Sequence, residues 1–379
     1  MVVAPHHVPR RGRGGGGTHR RRRGTAAAAQ VHRRRARVSL VHADRRAAGR
    51  RGRYAFLVYL GRKLLAAVAS LFFTLVIGFV LFSLMPADPV QSMTRGHPTS
   101  DAQMAALRRS LGLDKPIWLR FIDFVNDALH GRLGQSWQFQ QSVASLIGSR
   151  LGPTVLLMGT ATLISVTLGL WLGVRSGWRH GSLFDRAASG VSLTLWSMPT
   201  FWLGMILLVT FSVGLGPIPS ILPANGMSDP SISGALPHTL DVVRHLVLPS
   251  MTMVLVVFAQ YVTIMRSSII DELGSPYLLT ARAKGLTDAD VRRKHAVPNA
   301  LLPTVTVIFL HIGGIIGGAI TVETVYSWPG LGYLTYQALK VPDLPLLQGT
   351  FIIFSSSVIL MNLVADVLYR ILDPRVRAQ

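Results

Sequence analysis

Few side chains in this sequence could carry out a reaction. The 379 residues contain no cysteine, which excludes thiol nucleophiles, thiolate metal sites and disulfides. No Gly-Lys dipeptide occurs, so the usual loop for nucleotide phosphates is missing, and the HExxH and GxSxG patterns of zinc proteases and serine hydrolases are missing as well. We therefore expect no catalytic residue, no metal site, no cofactor held by this chain and no enzyme activity of its own.

The remaining candidates are polar residues in or beside apolar stretches, where a charge is costly and often functional. Glu323 ends one such stretch, either as a solvated carboxylate at a helix end or as part of a pathway. His311 lies alone in the same stretch, as a packing histidine or as a ligand, and Gln260 could line a pathway or bond a neighbouring helix. Asp366 and Arg370 are four residues apart, a spacing that predicts an ion pair on one helix.

Apolar stretches of membrane-crossing length set the fold class. Each has about 20 residues or more, enough at 1.5 Å per residue to cross a hydrocarbon core of about 30 Å. Pro199 predicts a kink in the third stretch. The sequence therefore predicts an all-α integral membrane protein with about six transmembrane helices, at residues 64–84, 153–174, 187–213, 246–265, 301–322 and 347–368.

The segment between the fourth and fifth stretches, residues 271–303, is polar and rich in helix start and stop signals. Ser275 can N-cap a short helix with Pro276 at its first position, and Gly285 can end it in a left-handed C-cap. Residues 287–290 form a capping box that predicts a second short helix. Prolines at 298 and 303 are expected to bound the return to apolar sequence.

Two motifs in this segment resemble a known family. TARAKGL (280–286) and HAVPNALLP (295–303) are similar to the coupling-loop motif of ABC-transporter permeases, and more narrowly to the dipeptide and oligopeptide importers. Leu279-Thr280-Ala281 stands where the family has Glu-Ala-Ala, and the small Ala281 and Ala283 are expected to let a partner surface approach. The resemblance implies contact with an ATPase through Tyr277, Leu278, Thr280, Ala281, Arg282, Ala283, Lys284 and Gly285.

A second signature follows the fifth stretch. VETVYSWPGLGYL (322–334) resembles the external signature of the same permeases, which implies an outer-gate or pathway role for Glu323, Trp328, Pro329 and Gly330. Small residues four apart allow helices to meet closely. On that pattern we predict helix packing at Gly313, Gly314, Gly317 and Gly318.

The charge distribution predicts the orientation. Of the 39 Lys and Arg residues, 18 lie in residues 1–63, and most others cluster in alternate loops and at the carboxyl end. Basic loops face the cytoplasm, so the segment 271–300 and both termini are expected there. The Arg-rich residues 1–53 are expected to be disordered; they are a nucleic-acid arm, a segment held on anionic lipid, or a non-native start. A membrane-bound nucleic-acid or scaffold protein that uses this tail is a further alternative, and deleting residues 1–53 tests it, because a permease should still transport without them.

The resemblance covers residues 54 to about 377 and implies a type I ABC importer permease of the bacterial plasma membrane. We predict four regions: the tail 1–53, a short helix and first span at 54–85, an extracytoplasmic loop at 86–150, and the permease core at 151–377. The expected partners are a second homologous permease, two ATP-binding subunits that carry ATP and Mg²⁺, an extracytoplasmic binding protein and the lipid bilayer, with no nucleic acid. The substrates are peptides, or nickel, haem or another small solute. A stand-alone secondary transporter is the alternative of another class.

Overall fold

The computed structural model describes residues 56–84, 90, 100–110, 113–217, 219–315 and 320–372, and these residues contain helices and no strand. The all-α prediction is confirmed. The chain divides into units 1–62 and 63–379, and of the first unit only residues 56–62 are described. Residues 1–53, the predicted tail, lie outside the described residues.

The helices of the first half are α1 (Phe56–Leu84), α2 (Asp101–Ser110), α3 (Ile117–Leu129), α4 (Val143–Trp178), α5 (Leu183–Ser197) and α6 (Thr200–Leu208). Those of the second half are α7 (Ala235–Leu273), α8 (Pro276–Ala283), α9 (Asp288–Asp290), α10 (Val297–Ile315), α11 (Ile320–Val325), α12 (Leu331–Lys340) and α13 (Leu344–Leu372). π-Helical turns follow α6 at Val209–Gly214 and α9 at Val291–Ala296.

Five helical stretches are long and apolar enough to cross a membrane, and a bent pair of helices makes a sixth candidate. The bent pair consists of Leu183–Ser197 and Thr200–Gly214, which meet at 98°. Pro199 lies at the break, since it has no N–H to continue the helical ladder. The predicted kink is thus confirmed, and the bend is large enough that the third span is broken into two helices.

Two helices are far longer than the membrane requires. α4 has 36 residues and α7 has 39, which correspond to about 54 Å and about 58 Å at 1.5 Å per residue. Ser142 starts α4 by accepting a hydrogen bond from the backbone N–H of Ser145, ten residues before the predicted start of the span. Both helices therefore extend beyond a hydrocarbon core of about 30 Å and carry side chains into the loops.

α4 and α7 pack at very short range through a stripe of glycines. A Cβ added to Gly169, Gly173 or Gly177 would lie 2.4–2.8 Å from atoms of α7, including the Cβ atoms of Tyr261 and Met265. Such contact is available only to residues without a side chain. This stripe was not predicted, although its glycines are spaced by four residues like those at 313–318.

Two predictions from the sequence involve residues that the structure describes only in part. Gly313 and Gly314 lie in α10, whereas Gly317 and Gly318 lie outside the described residues, so the predicted packing role stays a prediction. Asp366 forms an ion pair with Lys63 on α1, with Nζ 2.7 Å from Oδ2. The side chain of Arg370, the predicted partner, lies outside the described residues.

Candidate coupling site

The predicted coupling helix, α8, is a short element with its own start and end signals. Pro276 occupies its first position, and Gly285 follows it with φ +81°, the left-handed conformation that glycine adopts without a steric penalty. Ser275 stands at the N-cap, but its hydroxyl makes no cap hydrogen bond and donates instead to Glu272 Oε2 at 3.3 Å. The predicted side-chain cap is therefore wrong, because the nearby carboxylate takes the hydroxyl.

One face of α8 is buried in the chain itself. Leu278 is fully buried and Ala281 is 5% exposed, and both pack in a cluster with Met265, Ile269 and Val291. The expectation that Ala281 opens α8 to a partner is wrong, because its small side chain lets α8 approach the ends of α7 and α10. This contact fixes α8 to two membrane-crossing helices.

The opposite face of α8 is exposed. Leu279 is 69% exposed, although the preceding residue, Leu278, is fully buried. An apolar side chain held in water beside charged neighbours is typical of a surface that a partner covers. The exposed side chains on this face and its C-terminal end are those of Tyr277, Leu279, Thr280, Arg282, Ala283 and Lys284.

The second predicted helix is continuous with the fifth span. The hydroxyl of Thr287 accepts a hydrogen bond from the backbone N–H of Asp290 at 3.2 Å, so this half of the capping box is present. The chain then passes through the π-helical turn into α10, and Pro298 and Pro303 lie within α10 rather than at its border. The π-helical turn ends at Ala296, two residues before Pro298, whose missing N–H interrupts the regular helical hydrogen-bond ladder.

Trp178 joins the end of α4 to this segment. Its indole Nε1 donates to Asp288 Oδ2 at 3.2 Å, and the guanidinium groups of Arg282 and Arg292 lie 5.8 and 5.9 Å from its ring centre. Cations at this distance are attracted to the face of an indole. Trp178 was not among the residues predicted from the sequence, since Asp288 lies 110 positions away and no local pattern connects the two.

A buried ion pair lies one turn further into the protein. Arg266 on α7 bonds Asp185 at the start of α5 through Nε at 2.6 Å and Nη2 at 2.9 Å. Ser176 on α4 and the backbone N–H of Gly181 also donate to this carboxylate. Arg266 was counted only as a basic loop residue in the sequence analysis, and the distance of 81 positions to Asp185 gave no signal that they meet.

The predicted outer-gate residues form a buried cluster. Glu323 and Trp328 are both fully buried, so the carboxylate is not a solvated group at a helix end. Thr154 on α4 donates to Glu323 Oε1 at 2.9 Å, and the backbone N–H of Tyr333 donates to Oε2 at 2.9 Å. Gly330 approaches so closely that an added Cβ would lie 2.4 Å from a carboxylate oxygen.

Trp328 fastens the same cluster to α4. Its indole Nε1 donates to the carbonyl of Pro153 at 2.9 Å, and the backbone N–H of Leu331 donates to Thr154 Oγ1 at 2.7 Å. Pro329 is partly exposed between them. These bonds explain the residue types of the signature, although a role in gating stays a prediction.

The two sites contact α4 at positions far apart along the helix. Thr154, about a third of the way along α4, binds Glu323, and Trp178 binds Asp288 at its end. The 24 positions between them correspond to about 36 Å along a helix, slightly more than a hydrocarbon core of about 30 Å. The Glu323 cluster and the segment around α8 are therefore separated along α4 by slightly more than the thickness of a hydrocarbon core.

Comparison with known proteins shows the family to which the chain belongs. The family "Binding-protein-dependent transport system inner membrane component" matches residues 165–378, and its N-terminal companion family matches residues 56–158. The chain is 37% identical to the di/tripeptide transport system permease protein DppB of Pseudomonas aeruginosa over 85% of this chain and 99% of the relative.

Two further relatives come from Escherichia coli. The dipeptide transport system permease protein DppB of strain K12 is 37% identical over 79% of this chain and 92% of its own length. The glutathione transport system permease protein GsiC of strain O6:H1 is 35% identical over 84% of this chain and 98% of its own length. The family model matches more than half of this chain, and the alignments cover nearly the whole length of the relatives. The chain therefore belongs to the family of binding-protein-dependent transport system inner membrane components.

Proposed function

We propose that this chain is a permease subunit of an ATP-driven importer of peptides and forms half of its translocation pathway. The family membership makes it a multi-pass inner-membrane transport component. The observation that carries the proposal is α8, a capped helix with one face fixed to the spans and the other face exposed. A surface of this kind can transmit the motion of an attached partner to the transmembrane helices.

The partners that we propose are two ATP-binding subunits, a second homologous permease and an extracytoplasmic binding protein. ATP and Mg²⁺ are held by the ATP-binding subunits, one of which receives the exposed face of α8. Closure of that subunit pulls α8, and Leu278 and Ala281 pass the displacement to α7 and α10. ATP can drive transport only if its binding favours either the inward-open or the outward-open state of the pathway. The contact between α8 and the membrane-spanning helices supplies the mechanical link that this requires.

We further propose that α8 and both chain termini lie in the cytoplasm, and that the Glu323 cluster lies at the extracytoplasmic end. The basic residues near α8 support this orientation, because Arg282, Lys284 and Arg292 follow the positive-inside rule. The separation of about 36 Å along α4 between Thr154 and Trp178 supports opposite sides for the two sites.

Peptides are the substrate class that we favour, since the relatives are named for dipeptide, di/tripeptide and glutathione transport. The same architecture importing nickel, haem or another small solute is the competing proposal. Co-purification from native membranes separates them. The chain is isolated with its partners, and the ligand on the binding protein is identified by mass spectrometry.

A mixture of short peptides is the expected result of that experiment. A single metal chelate, haem or sugar on the binding protein would agree with an ATP-driven importer but would contradict peptides as its substrates. Isolation without an ATP-binding subunit or binding protein would instead favour the stand-alone secondary transporter.

A further inference from the structure

A cleft lies halfway along the two longest helices. Its volume is about 260 Å³, and it is lined by residues 158–165 of α4, residues 253–260 of α7, the end of α10 and Trp196 of α5. Since α4 spans Val143–Trp178 and α7 spans Ala235–Leu273, the cleft is at the middle of both helices. This is the depth at which polar groups cannot rely on bulk water.

Polar groups without partners converge on the cleft. The hydroxyl of Ser165 is fully buried and makes no hydrogen bond within the described residues. Thr162 and Gln260 also line the cleft, and in the described part of the chain their side chains form no hydrogen bond. An unsatisfied polar group at this depth is costly, so the cleft must be completed by water or by a ligand.

His311 adds a further group to the cleft. Its Nδ1 is 2.6 Å from the hydroxyl of Tyr261, and the two rings pack edge to face at 5.3 Å. This bond leaves Nε2 as the ring nitrogen that can bond a ligand, because Nε2 makes no hydrogen bond to any described residue. The histidine is thus fixed in orientation by Tyr261 while it lines the cleft.

The lining selects the chemistry of the ligand. None of the lining residues is Asp, Glu, Lys or Arg, so the site offers no counter-charge for an ionised terminus. The Gln260 amide presents one acceptor and two donors, which match the N–H and C=O of a peptide bond. Met158 and Met253 form part of the apolar wall, and methionine adapts to side chains of different shape.

We infer that this cleft binds the neutral peptide unit of a substrate in transit, through Gln260, Thr162, Ser165 and His311, and leaves the substrate side chain against an adaptable apolar wall. A cleft of about 260 Å³ is just below the size of ordinary ligand pockets, so it holds a part of a short peptide rather than the whole molecule. This assignment rests on the proposed function, and it names the group of the substrate that the permease itself recognises.

Single cysteines test the assignment, because the chain contains none. Met158→Cys places a thiol in the cleft without removing a proposed hydrogen-bonding group, and Val257→Cys on α7 is a second reporter if the first variant folds poorly. Thr167→Cys is the matched control, since Thr167 is exposed on the same helix and outside the cleft. Each variant is assembled with its partners in vesicles, treated with methyl methanethiosulfonate, and followed by the mass of this chain.

Dialanine is expected to slow the modification of Met158→Cys and Val257→Cys about fivefold or more and to leave the modification rate of Thr167→Cys unchanged. Free alanine, which has no peptide bond, should not protect. Adding Gln260→Leu should raise the dialanine concentration that gives half-maximal protection about five- to tenfold, the effect of losing one well-placed hydrogen bond.

Uptake of dialanine by the same vesicles tests the importer function separately from the binding cleft. Uptake without protection of either reporter would overturn the site and leave the importer function intact. Absence of uptake by the parent protein would overturn the peptide function, and the site with it. Reporters that never react would show that lipid or the partner permease fills the cleft, which also overturns the site.

Discussion

Arg266 and Asp185 form a two-point ion pair between α7 and the start of α5, with Nε 2.6 Å from Oδ1 and Nη2 2.9 Å from Oδ2. The Asp185 side chain is 3% exposed and that of Arg266 is 27% exposed. Since Ser176 on α4 donates to the same carboxylate, three helices meet at one group. The pair lies seven residues before the end of α7, so it stiffens the connection that leads into α8.

Asp185→Asn should lower stability strongly. The substitution keeps the shape of the side chain but leaves the charge of Arg266 without its partner, which costs about 3–5 kcal/mol when a buried pair is broken. The lower end is expected because Arg266 is partly exposed. The melting temperature of the purified protein in detergent measures the effect.

Asp123→Asn is the control for that prediction. Lys115 and Asp123 also form a close pair, with Nζ 2.6 Å from Oδ2, but both side chains are more than half exposed. An exposed pair of this kind contributes about 0–1 kcal/mol. Equal losses in the two variants would show that burial of the Asp185 carboxylate is not what makes the pair stabilising.

Thr154→Val should destabilise the cluster around Glu323. The hydroxyl of Thr154 donates to Glu323 and accepts from the backbone N–H of Leu331, and all three residues are buried. Valine has the same shape, so the change removes two hydrogen bonds without opening a cavity and costs about 1–3 kcal/mol for each unsatisfied group. Thermal unfolding measures the loss.

Thr167→Val on the same helix supplies the comparison. Thr167 is exposed and its hydroxyl bonds only the carbonyl of Leu163 one turn earlier, so the change should be within about 0.5 kcal/mol. If Thr154→Val were as mild, the hydrogen bonds to Glu323 would contribute little to the cluster.

The fold class and the place of α8 could be predicted from sequence because both depend on local patterns. Apolar stretches, Pro276 at a helix start and Gly285 at a helix end each act through the backbone of their own neighbourhood. The predicted ends of the membrane-spanning helices were less accurate than the fold class. α4 and α7 continue into polar sequence, where hydropathy no longer marks a helix but packing against each other still stabilises one.

Contacts between distant positions could not be predicted in the same way. The fold brings together residues that are far apart in the sequence, as it does for Arg266 with Asp185 and for Glu323 with Thr154. The buried orientation of Ala281 was misjudged for the same reason, because a short helix with small residues on two faces does not indicate which face meets its own protein. The glycines of α4 are different, since their spacing was visible and was overlooked.

Gly173→Ala should weaken the contact between α4 and α7. The new Cβ would lie 2.7 Å from the Cβ of Met265 and 2.9 Å from the carbonyl oxygen of Val262, and the backbone oxygen cannot move aside. Overpacking of this kind costs about 1–3 kcal/mol. The midpoint of unfolding in detergent should fall accordingly.

Gly159→Ala tests whether that loss comes from the helix contact. Gly159 lies in α4 with nothing within 4 Å of an added Cβ, so alanine should be neutral or should stabilise the helix by up to about 1 kcal/mol. A similar loss at both positions would assign the effect to α4 itself rather than to its packing against α7.

Gly285→Val should leave the protein in the membrane and abolish ATP-driven uptake. Gly285 has φ +81° and nothing within 4 Å of an added Cβ, so the substitution acts through the backbone alone. A branched residue in the left-handed region is disfavoured by about 1–2 kcal/mol or more, which should unwind the end of α8 and misplace Arg282 and Lys284. Uptake of labelled dialanine into vesicles, normalised to the amount of inserted protein, measures the outcome.

Gly285→Asn distinguishes the backbone effect from any loss of contact. Asparagine adopts the left-handed conformation more readily than other residues, so this variant should keep most of the uptake although its side chain is much larger than hydrogen. Transport at the parental rate by Gly285→Val would show that the end of α8 need not be ordered for coupling. Equal loss in both variants would instead point to a partner surface that requires glycine at this position.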